Sequence, residues 1–432
     1  MLELLSSGVI SLWLDMAGIN KTGMNAVTLL AWQSGLPGLG WPSDRDTKAT
    51  AMAEKYLQDL KAKGLLTQGV QGVWMQSGAT PLVNVAGKEP LPAASLTKIA
   101  TSLSALETWG HDHQFITEVR TTGPIKDGVL RGDLIVVGGG DAWFVWEEAI
   151  ALGNTLQQMG IKKVEGNLVI VGNFWMNFVQ ESLPSGELLR QGMDASIWSG
   201  EIEQSYSKMP RGTTKPKLYI NGYVKTSKYV PISQLLVRHQ SLPLVAILKE
   251  MNVHSDNEMA EMLATGLGGA KVVAQQAAWS AGINQQEVDL KNGSGLGEDN
   301  HISPRAICSM LIAIERYLQN NNLTLADIFP VAGRDEGTLV GRQIPKGSVV
   351  KTGTLDTVIA LAGVLPTRDK GLVWFTIINR TNAWGELRAN QDILLQNLVK
   401  MWGEIPAIPQ AITPLKNSGK VILGDVNRNY PI

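Results

Sequence analysis

The chain has 432 residues, of which 44% are hydrophobic and 18% charged, a composition typical of a globular protein with roughly two or three domains. Its 38 lysines and arginines nearly balance 39 aspartates and glutamates, so charge gives no reason to expect nucleic acid as a partner. The single cysteine, Cys308, excludes a framework of internal disulfides.

The N-terminal stretch Leu4–Gly18 is moderately apolar, but Glu3 and Asp15 interrupt it. It is too short and too charged for a membrane span. No lysine or arginine precedes Lys21, so the basic start of a signal peptide is missing. A packed helix and a processed leader both stay open, and residues 1–43 are assigned as a segment of uncertain role.

The next part of the chain is predicted to contain two helices and two strands. Asp44–Lys63 has the pattern of an amphipathic helix that stops before Gly64. Gln71–Gln76 and Pro81–Val85 are predicted strands. In Pro92–Trp109 apolar residues recur at helical spacing, which predicts a helix with one face in the core.

Ser95 and Lys98 lie three residues apart at the start of this helix, so both side chains point to the same side of its first turn. If burial lowers the pKa of the lysine, its neutral amine can accept the serine proton. The helix N-terminus would add amide donors near the charge that develops. Alone, Ser-x-x-Lys is weak evidence, because a capping serine beside an exposed lysine is the commoner explanation.

Runs of apolar and β-branched residues predict further strands. These strands are Phe115–Arg120, Leu130–Val137, Asn167–Val171 and Gly371–Asn379, and helices are predicted over Trp146–Met159 and from Leu242 to Met251. The turn Gly138–Asp141 lacks the Lys-Ser/Thr of a phosphate loop, so nucleotide binding is rejected. Residues 182–230 are not assigned.

A second motif, Ser255-Asp256-Asn257, stands before an apolar helical run. A serine or aspartate there can simply cap the helix that follows. The functional interpretation is that Ser255 relays a proton toward a leaving group. Asn257 would then position Lys98 and a substrate amide.

A third motif lies in Val349–Leu361, which reads as one strand and is expected to pair antiparallel with Gly371–Asn379. Gly353 marks a place where another group must approach the backbone closely. Lys351 and Thr352 can receive a carboxylate. The backbone amide of Thr354 can donate to an oxyanion from the strand edge.

The three motifs follow one another in the order Ser-x-x-Lys, Ser-Asp-Asn and Lys-Thr-Gly. This order resembles the signature of active-site serine penicillin-binding proteins and related β-lactamases. Other stretches resemble the low-molecular-mass class C penicillin-binding proteins, which are D-alanyl-D-alanine carboxypeptidases and endopeptidases. These stretches are Gly132–Leu134, Gly138–Asp141, Asn292–Leu296, Ser303–Arg305, Pro330–Gly333 and Gly337–Leu339. The resemblance runs from Gly72 to Thr381.

The resemblance implies an α/β (α+β) fold with a β-lactamase/transpeptidase-like core. This core has an antiparallel sheet flanked by helices, an all-α part and a β-rich inserted subdomain. Residues 44–110 and 235–403 would form the catalytic domain, 111–234 the insertion and 404–432 a C-terminal tail. The gap between the first two motifs is short for this family, so one inserted subdomain is expected to be missing or reduced.

The resemblance also implies a reaction. Ser95 attacks the scissile carbonyl and Lys98 removes its proton. Ser255 and Asn257 complete proton transfer and positioning, and Lys351-Thr352-Gly353-Thr354 binds the substrate. Asp141 and Arg334 are weaker candidates, for a substrate side chain and a carboxylate.

The expected partners are peptidoglycan stem peptides, with β-lactam antibiotics as covalent inhibitors. No metal or organic cofactor is implied, and the oligomeric state stays open. Because this substrate lies outside the cytoplasmic membrane, we expect the protein in the periplasm or on the wall side.

Two other functions use the same motifs. The first is a β-lactamase or esterase on the same fold. Class A β-lactamases carry a Glu-x-x-Leu-Asn motif, and the nearest string in this chain, Glu287–Asn292, is one residue too long. A non-catalytic peptidoglycan-binding protein is the other, and the intact serines and lysines argue against it. The sequence does not separate carboxypeptidase from endopeptidase action.

Overall fold

The computed structural model describes residues 46–414 and 421–432, so the predicted N-terminal segment, residues 1–43, lies outside the described residues. The helices are α1 (Thr47–Ala62), α2 (Thr97–Trp109), α3 (Trp146–Gln158), α4 (Ser182–Gly192), α5 (Gly200–Lys208), α6 (Leu244–His254), α7 (Asn257–Gly266), α8 (Ala270–Ser280), α9 (Pro304–Asn320) and α10 (Trp384–Trp402). The strands are β1 (Gly72–Ser77), β2 (Thr80–Val85), β3 (Leu91–Pro92), β4 (Ile116–Thr121), β5 (Ile125–Lys126), β6 (Val129–Leu130), β7 (Leu134–Gly139), β8 (Lys163–Val164), β9 (Leu168–Asn173), β10 (Tyr219–Ile220), β11 (Val224–Ser227), β12 (Gln234–Gln240), β13 (Val288–Asp289), β14 (His301–Ile302), β15 (Val349–Leu355), β16 (Val358–Thr367), β17 (Gly371–Arg380) and β18 (Asn429–Pro431).

The first sheet is antiparallel, with the strand order β15-β16-β17-β1-β2. Every residue of β16 is buried because both faces of the sheet are covered. Ile359 and Leu361 pack with helices α1 and α10. Ala360 and Ala362 pack on the opposite face with the helices around α2. The alternation of side chains along one strand thus joins two apolar cores.

One sequence prediction about this sheet is wrong. The predicted strand Val349–Leu361 is two strands, β15 and β16, separated by a turn at Asp356 and Thr357. Because β16 folds back against β15, the run Gly371–Arg380 pairs with β16. This leaves β15, which carries Lys-Thr-Gly, at the edge of the sheet.

The second sheet has the order β11-β9-β7-β4-β12-β18, and its core is shared with α3, α4 and α5. Helices α4 and α5 lie within residues 182–230, which the sequence left unassigned. The predicted boundary between 234 and 235 falls inside β12, which pairs with β4. Strand β18 comes from the predicted tail and pairs with β12. The division into domains itself stays a prediction.

A layer of helices packs against the first sheet and shares one continuous apolar core with it. These helices are α2, α6, α7, α8 and α9. Helix α2 lies at the centre of this layer, and every residue from Thr97 to Leu106 is buried. The side chain of Lys98 is therefore buried within this helical layer. Among residues 46–414 and 421–432, no helix combines the length and the apolar character that a membrane span requires.

A buried ion pair ties α10 to the segment before β15. Arg342 Nη2 lies 2.7 Å from Asp392 Oδ1, and the side chains are 7% and 4% exposed. Asp392 Oδ2 also accepts a hydrogen bond from the backbone N–H of Gln343 at 2.8 Å. This arrangement fixes the chain on its way into β15.

We expect Asp392→Asn to lower the free energy of unfolding by about 3–5 kcal/mol, because it leaves a buried guanidinium without its counter-charge. Urea unfolding followed by circular dichroism measures the change. The control is Asp59→Asn, which removes the exposed Lys55–Asp59 pair and should leave stability nearly unchanged. Equal losses in the two variants would contradict the role assigned to Asp392.

Candidate active site

Ser95 lies in a short 3-10 helix, Ala94–Leu96, that leads directly into α2. The preceding residue, Ala94, has a φ of 48°, a left-handed conformation that is strained for a residue with a side chain. The serine therefore stands on a tight turn before the helix, while Lys98 lies in the first turn of α2. Lys98 Nζ is 3.1 Å from Ser95 Oγ.

The Lys98 amine is buried and has two further partners, Asn257 Oδ1 at 2.7 Å and the Ser294 carbonyl oxygen at 2.8 Å. Both of these oxygens can only accept hydrogen bonds. A neutral amine would donate one N–H to each, and its lone pair would then face the Ser95 hydroxyl. The three contacts therefore orient a proton acceptor toward the serine.

The environment of Lys98 favours this neutral form. Burial lowers its pKa to about 7, although the carboxylates of Asp256 and Glu261 act in the opposite direction. Desolvation disfavours the charged form of a lysine. A substantial fraction of the amine is thus unprotonated near neutral pH.

The second motif forms the turn between α6 and α7. Ser255 ends α6 in the left-handed conformation, with φ 57° and ψ 39°. Asp256 caps α7 by accepting the Met259 N–H at 2.8 Å. Asn257 begins α7 and reaches Lys98. The capping role and the proximity to the serine site coexist, carried by different residues of the motif.

The third motif lies on the edge strand β15. Lys351 is fully buried, and its Nζ donates to Ser255 Oγ and to the Thr352 carbonyl oxygen, both at 2.8 Å. Burial, and then the charge of Lys98, hold the pKa of Lys351 well below its ordinary value. The second and third motifs are thus joined by a direct hydrogen bond.

Two glycines let the backbone segments approach the serine turn. A Cβ on Gly353 would lie 3.1 Å from Ala94 Cβ and 3.2 Å from the Ala93 oxygen. A Cβ on Gly295 would lie 1.8 Å from the Ala94 oxygen, so the two backbone segments would have to move apart. Strand β15 and the loop that carries Ser294 therefore enclose the serine turn from separate directions.

A profile of the D-Ala-D-Ala carboxypeptidase 3 (S13) family matches residues 53–182 and 215–398. The chain belongs to this family. The resemblance to low-molecular-mass class C penicillin-binding proteins is thereby confirmed, and the chain is a serine-type DD-peptidase.

Individual relatives are distant but match over most of their length. The D-alanyl-D-alanine carboxypeptidase DacB of Haemophilus influenzae is 24% identical over 390 residues, covering 66% of this chain and 80% of the relative. The carboxypeptidase DacB of Mycolicibacterium smegmatis is 24% identical over 421 residues, covering 84% and 82%.

A solved structure establishes the fold. The penicillin G-acylated predatory endopeptidase of Bdellovibrio bacteriovorus, in complex with an immunity protein, has a TM-score of 0.71 and 21% identity, with 84% of this chain and 100% of the other covered. The expected α/β fold of the transpeptidase type is confirmed.

The two weaker candidates from the sequence lie apart from the hydrogen-bond network of this S13-family site. Asp141 is buried, and its carboxylate accepts the Trp143 N–H at 2.8 Å. Burial raises its pKa to about 7, and its charged neighbours are Glu148 and Arg428. Arg334 is 56% exposed and lies 4.0 Å from Asp335. Neither residue shares a hydrogen bond with Ser95, Lys98, Ser255 or Lys351 within the described part of the chain, and a role for them in the site stays a prediction.

Sequence reasoning missed several residues that touch the site. Ser294 lies in a stretch that resembles the family and has no role predicted from the sequence, yet its carbonyl oxygen accepts a hydrogen bond from Lys98. Arg388 of α10 donates to Thr354 Oγ1 at 2.8 Å. Glu261 holds the loop that carries Ser294. A signal for Glu261 was present, since it stands one helical turn after Asn257 and shares its face.

Gly295→Ala should slow acylation by a β-lactam about a hundredfold, because the new Cβ would displace the turn that carries Ser95. Stopped-flow measurement with a chromogenic β-lactam tests this. The matched control is Gly297→Ala in the same loop, where φ is also positive but no atom lies within 4 Å of the new Cβ. We expect this control to lose about 1 kcal/mol of stability from backbone strain, with near-normal acylation. Similar acylation rates in the two variants would contradict this account.

Proposed function

We propose that this protein cleaves D-Ala-D-Ala termini or DD cross-links of peptidoglycan through an acyl-enzyme on Ser95. The observation that carries the proposal is the Lys98 amine, which is buried, held by two acceptors and 3.1 Å from Ser95 Oγ. A hydroxyl becomes a useful nucleophile when an adjacent base can take its proton.

In the first step Lys98 accepts the serine proton while Ser95 Oγ attacks the carbonyl of the scissile peptide bond. The backbone N–H groups of Ser95 and Thr354 would hold the oxyanion that forms. This assignment is supported by the packing of Gly353 against Ala93 and Ala94, which brings β15 beside the serine turn. Preorganised amides of this kind stabilise the transition state without reorganisation.

In the second step the amide nitrogen of the leaving group must gain a proton. Ser255 Oγ accepts a hydrogen bond from Lys351 Nζ, so its own O–H can donate its proton to the leaving nitrogen while the Lys351 ammonium returns a proton to Ser255 Oγ. The proton that Lys98 took from Ser95 would then restore Lys351, which leaves the Lys98 amine neutral for the hydrolytic step. Lys351 and Thr352 would engage the terminal carboxylate, and Asn257 would hold the substrate amide. Water then hydrolyses the Ser95 ester.

The proposed substrate also indicates which inhibitors the protein binds and where it is located. A β-lactam presents a strained amide and a carboxylate in the arrangement of a DD-dipeptide end, so the same groups would bind it covalently. Acylation by penicillin G is stated for the Bdellovibrio relative. A substrate in the cell wall would place the protein outside the cytoplasmic membrane, in the periplasm or on the wall side.

The β-lactamase alternative receives no support from Glu287. Its carboxylate accepts a hydrogen bond from Ser303 Oγ at 2.6 Å and forms an ion pair with Arg305. These contacts fix the start of α9. The glutamate of the approximate Glu-x-x-Leu-Asn string therefore has a structural explanation.

Incubation with a fluorescent penicillin followed by peptide mapping should place the label on Ser95, and Ser95→Ala should abolish labelling because no other group replaces its hydroxyl. Wall fragments digested by the parent protein should lose a terminal alanine or convert dimers to monomers in mass spectra. Absence of label and of products from folded parent protein would overturn the proposal. Fast release of hydrolysed penicillin would favour the β-lactamase alternative.

The acylation rate should rise with pH through a midpoint of about 7, because the amine of Lys98, whose pKa burial lowers to about 7, acts only when unprotonated. Below the midpoint the lysine is charged and cannot accept the serine proton. Single-turnover acylation across a pH series measures this rise in rate, after the intrinsic hydrolysis of the β-lactam has been subtracted. A rate that stays flat through this range would show that another group is the base.

A further inference from the structure

The loop from Asn292 to Asn300 supplies one of the two acceptors that orient the Lys98 amine. The Ser294 carbonyl oxygen lies 2.8 Å from Lys98 Nζ. The peptide unit that carries this oxygen is fixed from its other side, since the Gly295 N–H donates to Asn292 Oδ1 at 2.7 Å. The position of a proton acceptor thus depends on the conformation of a loop.

Two side chains hold this loop, one from α2 and one from α7. Each lies one helical turn after a residue of the site. Thr101, one turn after Lys98 on α2, donates its hydroxyl to the Gly293 carbonyl oxygen at 2.7 Å. Glu261, one turn after Asn257 on α7, accepts the N–H of Gly293 at 3.1 Å and the N–H of Ser294 at 2.8 Å. The peptide unit between Gly293 and Ser294 is therefore hydrogen-bonded to both helices.

We propose that Glu261 is a positioning residue for the general base, holding the Ser294 carbonyl where it orients the Lys98 lone pair toward Ser95. The proposal rests on the proposed function, in which Lys98 takes the serine proton. Two charge-assisted hydrogen bonds to consecutive amides form a rigid link. Loss of this link would let the Ser294 oxygen move from the amine.

Glu261 also contributes charge. The charged groups that face Lys98 are Asp256 from the turn before α7, Glu261 from α7 and Lys351 from β15. The two carboxylates stabilise the ammonium form of Lys98 and Lys351 opposes it. Removing the Glu261 charge should therefore move the rising limb of the pH profile to lower pH. Opening of the site to water would relieve desolvation and move the limb the other way.

The test uses Glu261→Gln and Glu261→Asp in the full chain, with acylation by a chromogenic β-lactam and DD-peptide turnover across pH. Glutamine keeps the shape but can accept only one of the two amides and carries no charge. We expect acylation at its optimum to fall about tenfold or more, in kcat rather than KM, with the midpoint lowered. Aspartate keeps the charge but is one methylene too short, so acylation should fall while the midpoint stays.

The control is Glu258→Gln, an exposed glutamate on the same helix whose contact is Gln180; it should match the parent protein. Thermal unfolding checks that each variant is folded. A parent-like rate in Glu261→Gln, or a midpoint that rises, would overturn the proposal. If Glu261→Gln does not fold, an acylation rate in Glu261→Asp equal to that of the parent protein would overturn the proposal instead. Failure of the proposed function would differ, because the parent protein itself would not be acylated at Ser95.

Discussion

The whole site depends on keeping one lysine amine out of water. Lys98 lies on a helix whose residues are buried from Thr97 to Leu106, and the apolar core around it supplies the desolvation that lowers its pKa. A buried ammonium would be costly without partners, so the two acceptors from Asn257 and Ser294 serve both protonation states. The fold stabilises the amine enough to bury it while leaving it able to lose its proton.

Lys98 and Lys351 are coupled. Both are fully buried, and the charge of Lys98 is among the causes that lower the pKa of Lys351. A positive charge on one of these amines therefore disfavours a positive charge on the other. A substrate carboxylate beside Lys351 would stabilise that ammonium, and we expect the shared charge to move toward it. Substrate binding would then leave Lys98 neutral at the moment when Ser95 needs a base.

The three motifs could be predicted from the sequence because each has a local physical signature. Ser95 and Lys98 share a helix face, Asp256 caps a helix, and Gly353 marks a close approach. The hairpin at Asp356 was missed because its two turn residues, Asp356 and Thr357, include no glycine or proline. The contacts of Ser294 and Glu261 depend on segments far apart in sequence, so spacing alone could place them near one another only once the fold was known.

The position of β15 at the sheet edge follows from the same hairpin. An edge strand exposes unpaired amides, which is a liability in most proteins and a requirement for an oxyanion site. Here the Ala93–Leu96 turn lies beside that edge, close enough that Gly353 must lack a side chain. From α10, Arg388 binds Thr354 Oγ1, and the buried Arg342–Asp392 pair fixes the segment entering β15 to α10. The strand that would receive substrate is therefore anchored through α10, while its open edge faces the serine.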